Sequence, residues 1–111
     1  MNTGINSLHN MAGRKHRFIL GLMSGTSLDG LDIAYCRITG SGPGTKVELH
    51  AFRTMPYSEA DRKKIRKIFA RKTVDLSYLT MLHRYLGLLH AGMVNRFLFD
   101  HNIIRSRVDL I

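Results

Sequence analysis

The stretch Gly21-Leu22-Met23-Ser24-Gly25-Thr26-Ser27-Leu28-Asp29-Gly30-Leu31-Asp32 concentrates residue types that suit a phosphorylated ligand. Gly25 and Gly30 let the backbone approach a ligand with no Cβ in the way. Thr26 and Ser27 add hydroxyl donors, and consecutive backbone N–H groups in a tight turn form a concave anion site. Asp29 and Asp32 bring carboxylates able to hold a divalent cation through its waters, since magnesium keeps much of its hydration shell. Together these fit a nucleotide phosphate and its metal. An ordinary hairpin turn also uses glycine, serine and aspartate, for conformational reasons alone. Length argues against it: the polar stretch 24–30 is seven residues long, where a hairpin loop takes about two to five. No lysine followed by serine or threonine closes the stretch, so it is not a Walker A loop. Its glycine spacing, and the strand that follows, exclude a dinucleotide fingerprint.

The flanking elements must hold that stretch in place. Residues 17–23 read as a first strand and residues 31–39 as a second. In the second, Leu31, Ile33 and Tyr35 fall on one face and Ala34, Cys36 and Ile38 on the other. Such a strand calls for layers above and below it. Gly40-Ser41-Gly42-Pro43-Gly44 marks a turn. Residues 46–55 alternate Val47, Leu49 and Ala51 with Glu48, His50 and Phe52, giving a third strand with one wetter face. Three strands joined by turns make an antiparallel meander. After Pro56, Ser58 caps a helix over 59–71, with Asp61 three residues on. Its stripe is Ile65, Ile68 and Phe69. Asp75 or Ser77 starts a longer helix to about residue 99, striped by Leu79, Leu82, Leu86, Leu89, Met93 and Phe97. Gly87, Ala91 and Gly92 leave room on it for a neighbour. Asn102 breaks the helix, and residues 108–111 begin a further strand.

Composition narrows the class. The 111 residues allow one small domain, and 44% hydrophobic content fits a globular chain rather than a disordered one. The single cysteine, Cys36, excludes an internal disulfide, suits a reducing cytosol and reads as a buried, inert thiol. The N-terminus lacks the apolar core of a secretory signal, and no stretch reaches the roughly 18 apolar residues of a membrane span. Residues 1–16 read as a flexible basic extension, with Met11 an alternative start.

The net charge of +9 is the unusual bulk property. Arg62, Lys63, Lys64, Arg66, Lys67, Arg71 and Lys72 make a basic cluster. It could contact nucleic acid or be the solvated face of an amphipathic helix. No aromatic residue interleaves the charges as a stacking surface requires, which favours the second. His83 and His90 lie seven residues apart on a similar face. Zinc ligands would sit better four apart, so we assign no metal there.

The order strand, Gly-Thr-Ser turn, strand, strand, helix, helix, strand resembles one lobe of the actin, sugar-kinase and heat-shock ATPase superfamily. The fold class expected from that resemblance is α/β, the N-terminal part of an actin-like (ribonuclease H-like) ATPase lobe. The twelve-residue stretch beginning Gly21-Leu22-Met23-Ser24 is more narrowly similar to the N-terminal signature of anhydro-N-acetylmuramic acid kinases. Met55-Pro56-Tyr57, Leu86-Gly87, Ala91 and Val108-Asp109-Leu110-Ile111 extend the likeness over residues 17–111. Ser58 and His83 depart from the family pattern.

The resemblance implies ATP and Mg2+ as cofactors. It makes Gly25, Thr26, Ser27, Leu28, Asp29, Gly30, Leu31 and Asp32 the ATP-binding residues, with Asp29 reaching the metal only through water. It implies 1,6-anhydro-N-acetylmuramate as substrate, opened by water and phosphorylated to N-acetylmuramate 6-phosphate in cell-wall sugar recycling. The implied setting is cytoplasmic, without membrane or nucleic-acid partners, and allows a homodimer. In the family the general base lies in a later segment. Residues 17–111 are therefore expected to be a truncated kinase lobe with no catalytic base, inactive alone. A basic nucleic-acid module and a non-functional truncated product are the alternatives.

Overall fold

Alternating apolar side chains and the turns between them set the sheet, seen here in a computed structural model that describes residues 2–111. Strand β1 is His16–Met23, β2 is Gly30–Thr39 and β3 is Lys46–Pro56. The order β1-β2-β3 is an antiparallel meander, as the spacing predicts. Leu20 faces Tyr35 and Leu22 faces Ile33 across the first pair. A bulge at Tyr35/Cys36 shifts the second pair, so that Tyr35 meets Ala51 while Cys36 meets Leu49. Leu110 joins the free edge of β1 through one parallel bridge to Ile19. The strand expected over 108–111 is thus present as a single bridge, fixed by the Leu20 amide donating to the Leu110 carbonyl at 3.0 Å.

Helix α2 is Glu59–Arg66 and α3 is Leu76–Asp100. Ser58 and Asp75 cap them, each accepting a backbone N–H three residues on. The core lies where α3 crosses β2: Leu20, Leu31, Ile33, Tyr35, Tyr57, Val94, Phe97 and Leu98 cluster there.

Four features differ from the expectation. A further helix, α1 (Thr3–Ala12), stands where no element was expected. Asn2 caps it through the Gly4 amide, and its buried residue is Met11. Helix α2 stops at Arg66, five residues short, because the chain winds through turns to Ala70 at φ 57°. Among the described residues only one face of the sheet is layered. Met23, Val47, Leu49 and Phe52 remain exposed and Cys36 is half-buried on the other. Among the described residues nothing lies within 4 Å of a Cβ built on Gly87 or Gly92, so no described element packs closely at those small positions.

Asp61 ties α2 to α3. The Ser58 hydroxyl donates to Asp61 Oδ2 at 2.7 Å, and the Tyr85 hydroxyl donates to Oδ1 at 2.5 Å. The Tyr85 bond, then the Ser58 bond, hold this buried carboxyl below the usual carboxylate range although burial opposes them. A folded-state pKa below the unfolded value makes the contribution complete above pH ~4. It is lost as pH falls through the folded value. Y85F is expected to lower stability near pH 7 by about 1–2 kcal/mol. Urea unfolding should show the gap from wild type narrowing as the medium is acidified; a gap independent of pH would contradict the assignment.

Candidate functional site

Residues 24–29 connect β1 to β2, and backbone hydrogen bonds hold the loop. The Leu28 amide donates to the Gly25 carbonyl at 3.2 Å, closing a turn. Leu28 takes φ 56°, in the left-handed region, while its side chain is only 6% exposed. Backbone strain of this kind at a buried leucine persists only where the surrounding structure determines it. The Tyr57 amide then donates to the Asp29 carbonyl at 2.9 Å. At Gly30 the chain runs so close to β3 that a Cβ would lie 2.2 Å from the Met55 carbonyl oxygen.

Between these anchors the loop keeps unspent hydrogen-bonding groups. Within the described residues the amides of Gly25, Thr26, Ser27 and Asp29 donate to no backbone carbonyl of the chain. Thr26, Ser27 and Asp29 are exposed. Such a set can surround an anion with N–H and O–H donors, with one carboxylate at its end for a hydrated cation.

The eight residues singled out in the sequence therefore divide by what they can do. Gly25, Thr26, Ser27 and Asp29 present groups to solvent. Leu28 and Leu31 are buried and can act on a ligand only through their backbone, while Gly30 provides the close approach. Asp32 Oδ1 accepts the Thr54 hydroxyl at 2.6 Å across the β2–β3 ladder, which fixes that carboxylate while leaving its second oxygen to accept from elsewhere.

Two further residues lie beneath the loop: Tyr57, named above only for the family likeness, and His90, named above only as a rejected metal ligand. Tyr57, 2% exposed, donates its hydroxyl to Ser24 Oγ at 3.0 Å. The same oxygen lies 2.7 Å from His90 Nε2, and the two rings stack at 5.9 Å. Burial pushes the His90 pKa below its ordinary value. One signal was available: His90 is a polar residue inside the α3 stripe, next to Leu89.

The basic cluster is partly engaged within the chain. Lys64 Nζ lies 4.0 Å from the centre of the Tyr85 ring and Lys67 Nζ lies 5.3 Å from that of Tyr78. Arg62 donates to the Tyr57 carbonyl at 3.1 Å, and Arg66 pairs with Glu59 at 3.3 Å. Among the described residues no group of three or more His, Cys, Asp or Glu side chains is placed to hold a metal ion. No described helix is long and apolar enough to cross a membrane.

Comparison with known proteins gives a consistent picture. The family described as anhydro-N-acetylmuramic acid kinase matches residues 17–111. A protein of that name from Pseudoalteromonas atlantica is 47% identical over all 111 residues, which cover 28% of its own length. One from Pseudoalteromonas translucida is 43% identical over the same span, again 28% of its length. One from Bacillus cereus is 37% identical over 94 residues, 85% of this chain and 24% of that protein. The chain thus spans 28% of the length of the first two relatives.

Proposed function

Because the chain belongs to the anhydro-N-acetylmuramic acid kinase family, we propose that residues 25–32 are the first ATP-phosphate loop of such a kinase. The whole protein would open 1,6-anhydro-N-acetylmuramate with water and transfer a phosphoryl group to the freed 6-hydroxyl. It would act in cytoplasmic sugar recycling, a setting that suits the free thiol of Cys36. The observation that carries this reading is an exposed run of backbone amides and hydroxyls on a loop anchored by Leu28 and Gly30.

Bound ATP supplies the phosphoryl group and Mg2+ the countercharge. What this chain contributes is position. Phosphoryl transfer depends on orienting the phosphates and neutralising their charge, with little covalent work for the protein. Amides held in place before the ligand arrives cost nothing to reorganise on binding. Gly25, Thr26 and Ser27 would donate to phosphate oxygens, and Asp29 would hold a magnesium water. None of these residues is assigned as general base.

Titration of the chain with ATP, with and without magnesium, tests the assignment. Wild type is expected to bind ATP several-fold more tightly with magnesium. D29N should keep the metal-free affinity and lose most of that gain, as one water-mediated contact of ~1–2 kcal/mol implies. Equal magnesium enhancement in both proteins would take Asp29 out of the metal role.

A further inference from the structure

We infer that His90 and Tyr57 are positioning residues that hold Ser24 as an additional hydroxyl donor towards a phosphate oxygen of the bound nucleotide. The inference rests on the nucleotide reading of the loop but adds a residue outside 25–32 and two that act on it from below.

The inference assigns this chain of hydrogen bonds one direction, starting at the imidazole. A tyrosine hydroxyl carries one, and that of Tyr57 goes to Ser24 Oγ at 3.0 Å. With that hydrogen on Ser24, the 2.7 Å contact between Tyr57 and His90 Nε2 takes its hydrogen from the imidazole, which is the Nε2–H tautomer the inference assigns. His90 Nε2–H donates to Tyr57, Tyr57 donates to Ser24, and the hydroxyl hydrogen of Ser24 is left to point outward. Ser24 is exposed, at the first position of the loop. Each link polarises the next, which strengthens the terminal donor.

Packing alone does not account for these side chains. Tyr57 belongs to the core cluster, and Leu89 and Met93, which flank His90 along α3, pack against that cluster. A phenylalanine and a leucine would fill the same space without burying polar atoms, which costs free energy unless they are hydrogen-bonded. The polar atoms instead meet each other and terminate on the loop. Both contacts join residues 33 apart in sequence, so α3, the residue that follows β3 and the loop are tied at one point.

Three variants and two nucleotide-free readouts test the relay. Y57F and H90L should speed amide exchange at Leu28, whose bond closes the loop turn, by about tenfold, the effect of one lost hydrogen bond. Exchange at Phe97 and Leu98 in α3 should stay at the wild-type rate. H90Q, whose side-chain nitrogen can replace the Nε2 donor, should restore the slow rate. Nitrogen NMR of His90 should report the Nε2–H tautomer in wild type. An Nδ1–H tautomer, unchanged loop exchange in Y57F, or identical exchange in H90Q and H90L would each overturn the inference. Neither readout contains nucleotide, so failure of the ATP assignment would register separately, in the titration above.

Discussion

G30A is expected to destabilise the domain by about 3 kcal/mol, at the upper end of what overpacking costs. The added Cβ would lie 2.2 Å from the Met55 carbonyl oxygen and 2.9 Å from Pro56 Cα. Both are backbone atoms, so no side-chain rotation relieves the clash and β2 and β3 must separate. Gly30 pairs with Pro56 at the loop end of the ladder, so the damage falls where Asp29 and Tyr57 are bonded. Gly21 is the internal control. A Cβ there meets nothing closer than the Ala34 carbonyl oxygen at 4.0 Å. G21A should be neutral, or stabilising by about 0.4–1 kcal/mol through the unfolded chain. Chemical denaturation of the two variants checks this; equal midpoints would show that the approach at Gly30 is not tight.

F97A is expected to cost about 3–5 kcal/mol, the range for removing a fully buried aromatic ring. Phe97 is completely inaccessible to solvent and sits between α3 and the sheet, with Leu20 and Ile33 in the same cluster. A small domain has about 5–15 kcal/mol in all. A cost of that size is a large share of the total, so loss of cooperative unfolding is the expected result. L88A is the comparison, because Leu88 lies on the same helix but is 64% exposed. It should stay within about 0.5 kcal/mol of wild type. A cooperative F97A transition near the wild-type midpoint would mean that α3 does not hold the sheet.

What could be read from the sequence was local. The strands follow from alternation, and the helix starts from Ser58 and Asp75, whose capping needs only residues three positions away. The loop at residues 24–29 was visible because its residue types are contiguous. Features that depend on distant partners were not visible. The Thr54 hydroxyl that fixes Asp32 comes from another strand, and His90 meets Ser24 only through Tyr57. Two local signals were present but outweighed. Ile5, Leu8 and Met11 recur at helical spacing in α1, among residues polar enough to suggest a tail. The left-handed turn that follows α2 is made at Ala70, where glycine would have announced it.

The second face of β2 shows the limit of pattern reading most clearly. Ala34, Cys36 and Ile38 are apolar and predict a covering layer. The chain supplies α3 on one side only, leaving Val47, Leu49 and Phe52 open on the other. Apolar character records that a face suits burial, without saying which segment buries it.

The central claim is that residues 25–32 receive the phosphates of ATP, and an amide-resolved NMR titration of the chain with Mg-ATP tests it most directly. Saturable shifts at the Gly25, Thr26, Ser27 and Asp29 amides, with Lys63, Lys64 and Lys67 unmoved, are the predicted result. Shifts confined to the basic face of α2, or none at the loop under saturating nucleotide, would contradict it.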